Sequence, residues 1–184
     1  MSIDIPNYRI LAKLGNGAAS TLFKVRCTRT GSLYTVKNVK IHTPEDQKFQ
    51  IGKMYSVHDG KDAVIFATGA MVHNSISAAQ ELMQEGISVE VINVSTLKPL
   101  SKEELMRFAR DKQAIVTAEE ANRIGGMGDA IASLLFNDIR VPMEHVAIDD
   151  QFGTSAYTYE DLLTCYKLTK EDIAKAVKTA LKHA

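Results

Sequence analysis

The chain has 184 residues, 45% hydrophobic and 24% charged, with 22 basic and 22 acidic side chains, which suits one domain with a small appendage. Zero net charge offers no electrostatic attraction for nucleic acid or an anionic membrane. No run of about 18 apolar residues suggests a membrane span, and MSIDIPNYRI lacks the basic-then-apolar order of a secretory signal, so a cytoplasmic protein is expected.

Residues 8–41 read as three antiparallel strands, carried by YRILAKLGNGAASTLFKVRC and SLYTVKNVKI, with turns at Gly15–Gly17 and Thr30–Gly31. About 40 residues rarely fold alone, so this segment is read as an extension. Polar residues around Thr43–Gln47 mark its end. The expected division is residues 1–48 as extension and linker, and 49–184 as the main domain.

From Lys53 onward strand and helix signals alternate. MYSV (54–57) is a short strand and His58-Asp59-Gly60 a turn. AVIFATG (63–69) is a continuous apolar run, the pattern of a strand covered on both faces. Val72, Ile76, Ala79 and Met83 recur at helical spacing, and Gly86 ends that helix. SVEVINV (88–94) is the next strand. Pro99 breaks the chain, and Ser101 with Glu104 forms a capping-box pattern that starts a helix at Lys102. Leu105, Phe108 and Ala109 give its buried face and Lys112 its basic end. AIVTA (114–118) and HVAI (145–148) complete the strands. Between them Ile131, Leu134 and Leu135 face inward from a helix. Thr169 caps a last helix with the stripe Ile173, Val177, Ala180 and Leu181, and Glu171 and Lys175 are spaced for an i,i+4 pair.

Short connections between alternating strands and helices argue for an α/β fold, a three-layer sandwich with a mixed, mostly parallel sheet. The strand at 54–57, one short turn from the next, is expected as an antiparallel edge. Cys27 and Cys165 have no metal or redox spacing and read as reduced thiols. The five histidines form no ligand pair, so no metal site is expected.

The most specific segment is Gln113–Ser133, QAIVTAEEANRIGGMGDAIAS. A strand ends in Glu119 and Glu120, then a loop with Gly125, Gly126 and Gly128 leads into a helix. Glycines before a helix can cradle a phosphate on free N–H groups. Here the spacing is not G-x-G-x-x-G, and Asp129, Glu119 and Glu120 place negative charge around the loop. The reading preferred is close helix–sheet packing. Neighbouring strand residues point to opposite faces, so Glu119 and Glu120 make a poor acid/base pair. One of them is expected to face an interface or a helix terminus.

Four segments together resemble the C-terminal domain of transketolase: FQIGKMYSVHDGKDAVIFATGAMV, AAQELMQEGISVEVINVSTLKPLS, IVTAEEANRIGGMGDAIASLL and FGTSA (152–156). They occur in family order over residues 49–184. The same domain ends other thiamine-diphosphate enzymes, including beta subunits of pyruvate dehydrogenase-type complexes. Ala121 stands where the family often has histidine, and Ser101 where it often has an acidic residue. The resemblance implies a non-catalytic structural or interface part of a dimeric, thiamine-diphosphate-dependent transferase. In that family the diphosphate, its divalent metal and the aminopyrimidine lie on other domains. This chain alone is therefore expected to bind no cofactor and to be inactive. Its implied partners are those catalytic domains or a second copy of itself, with Glu119, Glu120, Gly125, Gly126 and Gly128 as interface candidates.

Tyr8–Ile41 is similar to the opening of a protein kinase small lobe. Gly15-Asn16-Gly17-Ala18-Ala19-Ser20 matches the glycine-rich loop, with Ser20 in place of the third glycine, and Tyr34-Thr35-Val36-Lys37 matches the third-strand lysine motif. The resemblance implies Gly15, Gly17 and Lys37 as ATP contacts. No H-R-D or D-F-G follows, since Asp150-Gln151-Phe152-Gly153 carries an extra residue, so kinase activity is not expected. Two alternatives follow: a nucleotide-binding module built on those three residues, or a folded chimera with no evolved function.

Overall fold

The computed structural model describes residues 8–16, 20–29, 31, 33–39 and 50–184. The chain divides into two compact units, Met1–Gln50 and Ile51–Ala184.

In the first unit, β1 (Tyr8–Asn16), β2 (Ser20–Cys27) and β3 (Leu33–Val39) form an antiparallel sheet in the order β1-β2-β3. This is the three-strand arrangement expected for those segments, except that Gly15 lies within β1 rather than in a turn. Gly31 has a φ of 73° and returns its N–H to the carbonyl of Cys27 at 2.9 Å, closing the turn after β2.

The second unit is a five-stranded sheet in the order β4-β6-β5-β7-β8, built from β4 (Tyr55–His58), β5 (Ala63–Ala67), β6 (Val89–Asn93), β7 (Ala114–Asn122) and β8 (Met143–Ile148). β4 is antiparallel to β6 at one edge, and all other pairs are parallel. The mixed, mostly parallel sheet and its antiparallel edge are therefore as expected. Five helices cover it: α1 (Met71–Gln84), α2 (Lys102–Ala109), α3 (Met127–Leu135), α4 (Tyr159–Cys165) and α5 (Lys170–Lys182).

β5 shows why the sheet is buried on both sides. Ala63, Ile65 and Ala67 enter one core, shared with α1 and α5 through Leu82, Ile173 and Val177. Val64 and Phe66 enter the other, shared with α2 and α3 through Leu105 and Ile131. The period-two alternation of a strand sends successive side chains to opposite faces, and here both faces are apolar.

Four local details depart from the sequence reading. The buried stripe of α1 is Met71, Val72, Ser75, Ala78, Ala79 and Leu82, while Met83 is exposed. Val72 and Ala79 are buried and Ile76 packs against the core as expected, so only the last position of the stripe departs, with Leu82 buried in place of Met83. Ser101 accepts the Glu104 N–H at 3.2 Å, but the Glu104 side chain does not complete the box. It accepts instead from Lys53 Nζ at 2.8 Å and from the Met54 N–H at 3.3 Å, tying α2 to the start of β4. Glu171 pairs with Lys170 at 3.8 Å rather than with Lys175. Finally, α4 is not among the elements expected from the sequence. It is seven residues long and buries only Leu163, so it has no periodic stripe to detect.

Gly86 ends α1 with a φ of 82°. Its N–H bonds to the Met83 carbonyl at 3.1 Å and that of Ile87 to the Leu82 carbonyl at 3.0 Å, the two bonds of a Schellman motif. α4 ends in the same way, with Lys167 at a φ of 56° in the glycine position.

Candidate functional site

The C-terminal end of β7 and the start of α3 hold the residues that the sequence singled out. β7 and β8 run in register from Ile115↔Met143 to Ala118↔Val146 and resume at Asn122↔Ile148. Three residues of β7, Glu119 to Ala121, thus stand against one of β8. Both carboxylates fall within this irregularity.

Glu119 turns inward and is 2% exposed. It accepts the N–H of Met127 at 2.7 Å and of Gly128 at 2.8 Å, two otherwise orphaned donors at the N terminus of α3. The N-cap residue, Gly126, offers no side chain. A carboxylate from the sheet supplies what a capping Ser or Asp would, and it meets the positive end of the helix dipole. Glu120 turns outward and accepts the Tyr159 hydroxyl at 2.5 Å. Burial first, and then the Glu120 carboxylate, push the Tyr159 phenol well above its ordinary range, so Tyr159 stays a donor.

The loop glycines have distinct reasons. Gly125 has a φ of 75°, and its N–H donates to Asp129 at 2.7 Å. At Gly128 a Cβ would stand 2.0 Å from His145 Nδ1 and 2.7 Å from Thr117 Oγ1, so α3 lies directly on β7 and β8 there. A Cβ on Gly126 would stand 2.7 Å from the Glu119 carboxylate. Burial, with Arg123 nearby, lowers the His145 pKa against the opposing pull of Asp129, Glu119 and Glu144. Thr117 is fully buried beside it.

Further out, Asn122 Nδ2 donates to Asp150 at 3.1 Å, and Arg123 Nε donates to Asp149 at 2.8 Å. These bonds join the loops after β7 and β8. Tyr159, Thr117 and His145 were not singled out in the sequence. The signal that could have found Thr117 and His145 is register, since they are partners across β7 and β8.

This arrangement does not suit phosphate. The N–H groups of Gly125, Met127 and Gly128 already donate to carboxylates of the same chain. Neither does it pair Glu119 and Glu120 for proton transfer, since one is buried against a helix and the other held by Tyr159. Among the described residues no group of three or more His, Cys, Asp or Glu could hold a metal ion, and no helix is long and apolar enough to cross a membrane. Cys27 is buried and Cys165 exposed, and neither is in a disulfide. Of the kinase-like residues, Gly15 lies in β1 and Lys37 in β3, and both register with Leu22 of β2. Gly17 lies outside the described residues.

The family model of the transketolase C-terminal domain matches residues 52–173. The chain belongs to the transketolase C-terminal domain family. It is 40% identical over 132 residues to a 6-deoxy-6-sulfo-D-fructose transketolase subunit of a Clostridium strain, covering 72% of this chain and 41% of that one. A 1-deoxy-D-xylulose-5-phosphate synthase of Gloeobacter violaceus is 40% identical over 132 residues, covering 71% of this chain and 20% of the synthase. A solved split-gene transketolase, described as an inactive beta4 tetramer, superposes with a TM-score of 0.73 at 38% identity, covering 78% of this chain and 46% of that one. The chain thus spans less than half the length of these relatives. In transketolase C-terminal domain terms, the Glu119 carboxylate and the glycine loop form the connection between its third parallel strand and the helix that follows.

Proposed function

We propose that residues 51–184 act as a non-catalytic interface domain of a thiamine-diphosphate-dependent enzyme of the transketolase type. The domain packs against the sections that hold the cofactor, or against a second copy of itself. The observation that carries this reading is the closed state of the loop after β7. Glu119 fills the α3 N terminus from inside the fold, and Asp129 takes the Gly125 N–H. The residues present do not fit a diphosphate, because carboxylates occupy the donors and add like charge. On this reading thiamine diphosphate and its metal are held by other domains of the enzyme. Glu119, Glu120, Gly125, Gly126 and Gly128 shape the end of the domain that meets its partner, and the cytoplasm is the compartment that fits. Purification from the native host tests the reading. A complex with a chain that binds thiamine diphosphate, or a stable homodimer, is expected. A monomer recovered alone overturns it.

A second reading rests on the first unit. Gly15 and Lys37 share one cross-strand row through Leu22, so their backbones stand two strands apart, roughly 10 Å. That spacing supports a nucleotide-binding module using Gly15, Gly17 and Lys37. Titration calorimetry with Mg-ATP decides it. Saturable binding that disappears in Lys37→Ala is required, and no heat at millimolar ATP removes the reading.

A further inference from the structure

Large hydrophobic side chains are exposed at eight positions in residues 51–184: Ile51, Met83, Leu97, Ile124, Phe136, Phe152, Tyr157 and Tyr159. Six of them gather at one end of the sheet. Leu97 follows β6, Ile124 follows β7, and Phe152, Tyr157 and Tyr159 follow β8, so all five lie beyond the C-terminal ends of parallel strands. β4 runs antiparallel to β6, with Tyr55 opposite Asn93, so the start of β4 lies at that same end. Ile51 is there too, next to Gly52, whose N–H donates to Thr96 Oγ1 at 3.0 Å. Only Met83 and Phe136, at the C-terminal ends of α1 and α3, lie at the opposite end.

The loop that presents the aromatics is held from behind. The Tyr166 hydroxyl accepts the Thr154 N–H at 2.7 Å and donates to the Phe152 carbonyl at 3.2 Å. Asp149 and Asp150 are tied to Arg123 and Asn122. Yet Phe152 is 99% exposed and Tyr157 fully so. A backbone fixed in this way presents its rings at little further ordering cost. Aromatic side chains are the usual anchors of protein interfaces, and a cluster of this kind on one face marks an interaction site.

The relatives point to the occupant. They share with this chain a C-terminal domain that makes up less than half their length, so the rest of each precedes it. The family match begins at residue 52. In the relatives the chain therefore enters this domain beside Ile51, at the end where the six side chains gather. We infer that this face docks the cofactor-binding section that precedes this domain in transketolase-type enzymes, with Phe152 and Tyr157 as its anchors. The inference rests on the interface reading above and adds the face and the residues.

The test uses the full chain. The probe is the Gloeobacter violaceus synthase cut before the section shared with this chain, and shown to bind thiamine diphosphate. Sedimentation velocity measures the complex. Phe152→Ser with Tyr157→Ser should weaken it by at least about tenfold, while Met83→Ser with Phe136→Ser leaves it unchanged. All four side chains are exposed, so unchanged melting curves confirm that the variants fold. A complex indifferent to the first pair, or weakened equally by the second, overturns the docking face and leaves the interface reading standing. Self-association lost in the first pair gives the face to a second copy and also overturns the inference. Absence of any complex with the folded probe overturns the docking inference, and the interface reading falls with it only if the chain is also monomeric by itself.

Discussion

The Glu119 carboxylate reaches from the end of β7 to the amide of Gly128, 2.8 Å away and nine residues later in the chain. With the second bond to Met127 it fixes where α3 begins. Glu119→Ala leaves two buried helix donors unpaired, and a charge-assisted bond is worth about 1.5–3 kcal/mol. We expect urea unfolding to show a loss of about 2–4 kcal/mol at unchanged m-value. Glu119→Gln keeps one acceptor and should lose about half as much. A loss below about 0.5 kcal/mol for the alanine variant would show that water caps the helix equally well.

Gly128→Ala tests the approach of α3 to the sheet. The added methyl meets His145 Nδ1 at 2.0 Å and Thr117 Oγ1 at 2.7 Å, a case of overpacking with a usual cost of about 1–3 kcal/mol. Combining it with His145→Ala should restore part of the loss, because the ring is the nearer obstacle. A double-mutant cycle reads this directly. Strict additivity of the two losses would show that the helix shifts away rather than pressing on the ring.

Stability should fall with acid in two steps. Burial raises the pKa of Glu104, but the Lys53 ammonium, the Met54 N–H and Arg107 outweigh it and leave it below the ordinary value. Its contribution is full above the unfolded carboxylate pKa of about 4.3. It is lost as pH falls through the lower folded value, since the unfolded chain takes the proton first. His145 acts higher. Its folded pKa lies below that of the unfolded ring, first through burial and then through Arg123. Stability therefore declines as pH drops below about 6.5. Chemical denaturation across this range should show both slopes, with Glu104→Gln abolishing the lower and His145→Asn the upper.

Lys167 carries a positive φ of 56° after α4, where the chain makes the same two closing bonds as at Gly86. A left-handed conformation costs a side-chain-bearing residue roughly 1 kcal/mol. Lys167→Gly should raise the melting temperature by about 2–4 °C. The matched change Gly86→Lys should lower it. If Lys167→Gly has no effect, the strain is offset by packing of the lysine stem.

What the sequence made legible follows a physical divide. β5 was readable because a strand covered on both faces leaves an unbroken apolar run, AVIFA. The start of α2 was readable because the Ser101 cap acts within one turn. Glu104 was misread because its partners, Lys53 and Met54, are about fifty residues away. Glu119 was singled out, but its target among the α3 amides depends on a strand irregularity that no local pattern encodes. α4 carries a capping box, Thr158 with Asp161, yet it buries one residue. A helix held by its cap rather than by an apolar face escapes any search for periodicity.

β5 lies between β6 and β7 and contributes side chains to both cores. Its amides can reach solvent only when the layers on both sides have parted. Hydrogen exchange along Ala63–Ala67 should therefore be governed by whole-domain opening, and these five amides should be the last to take up deuterium.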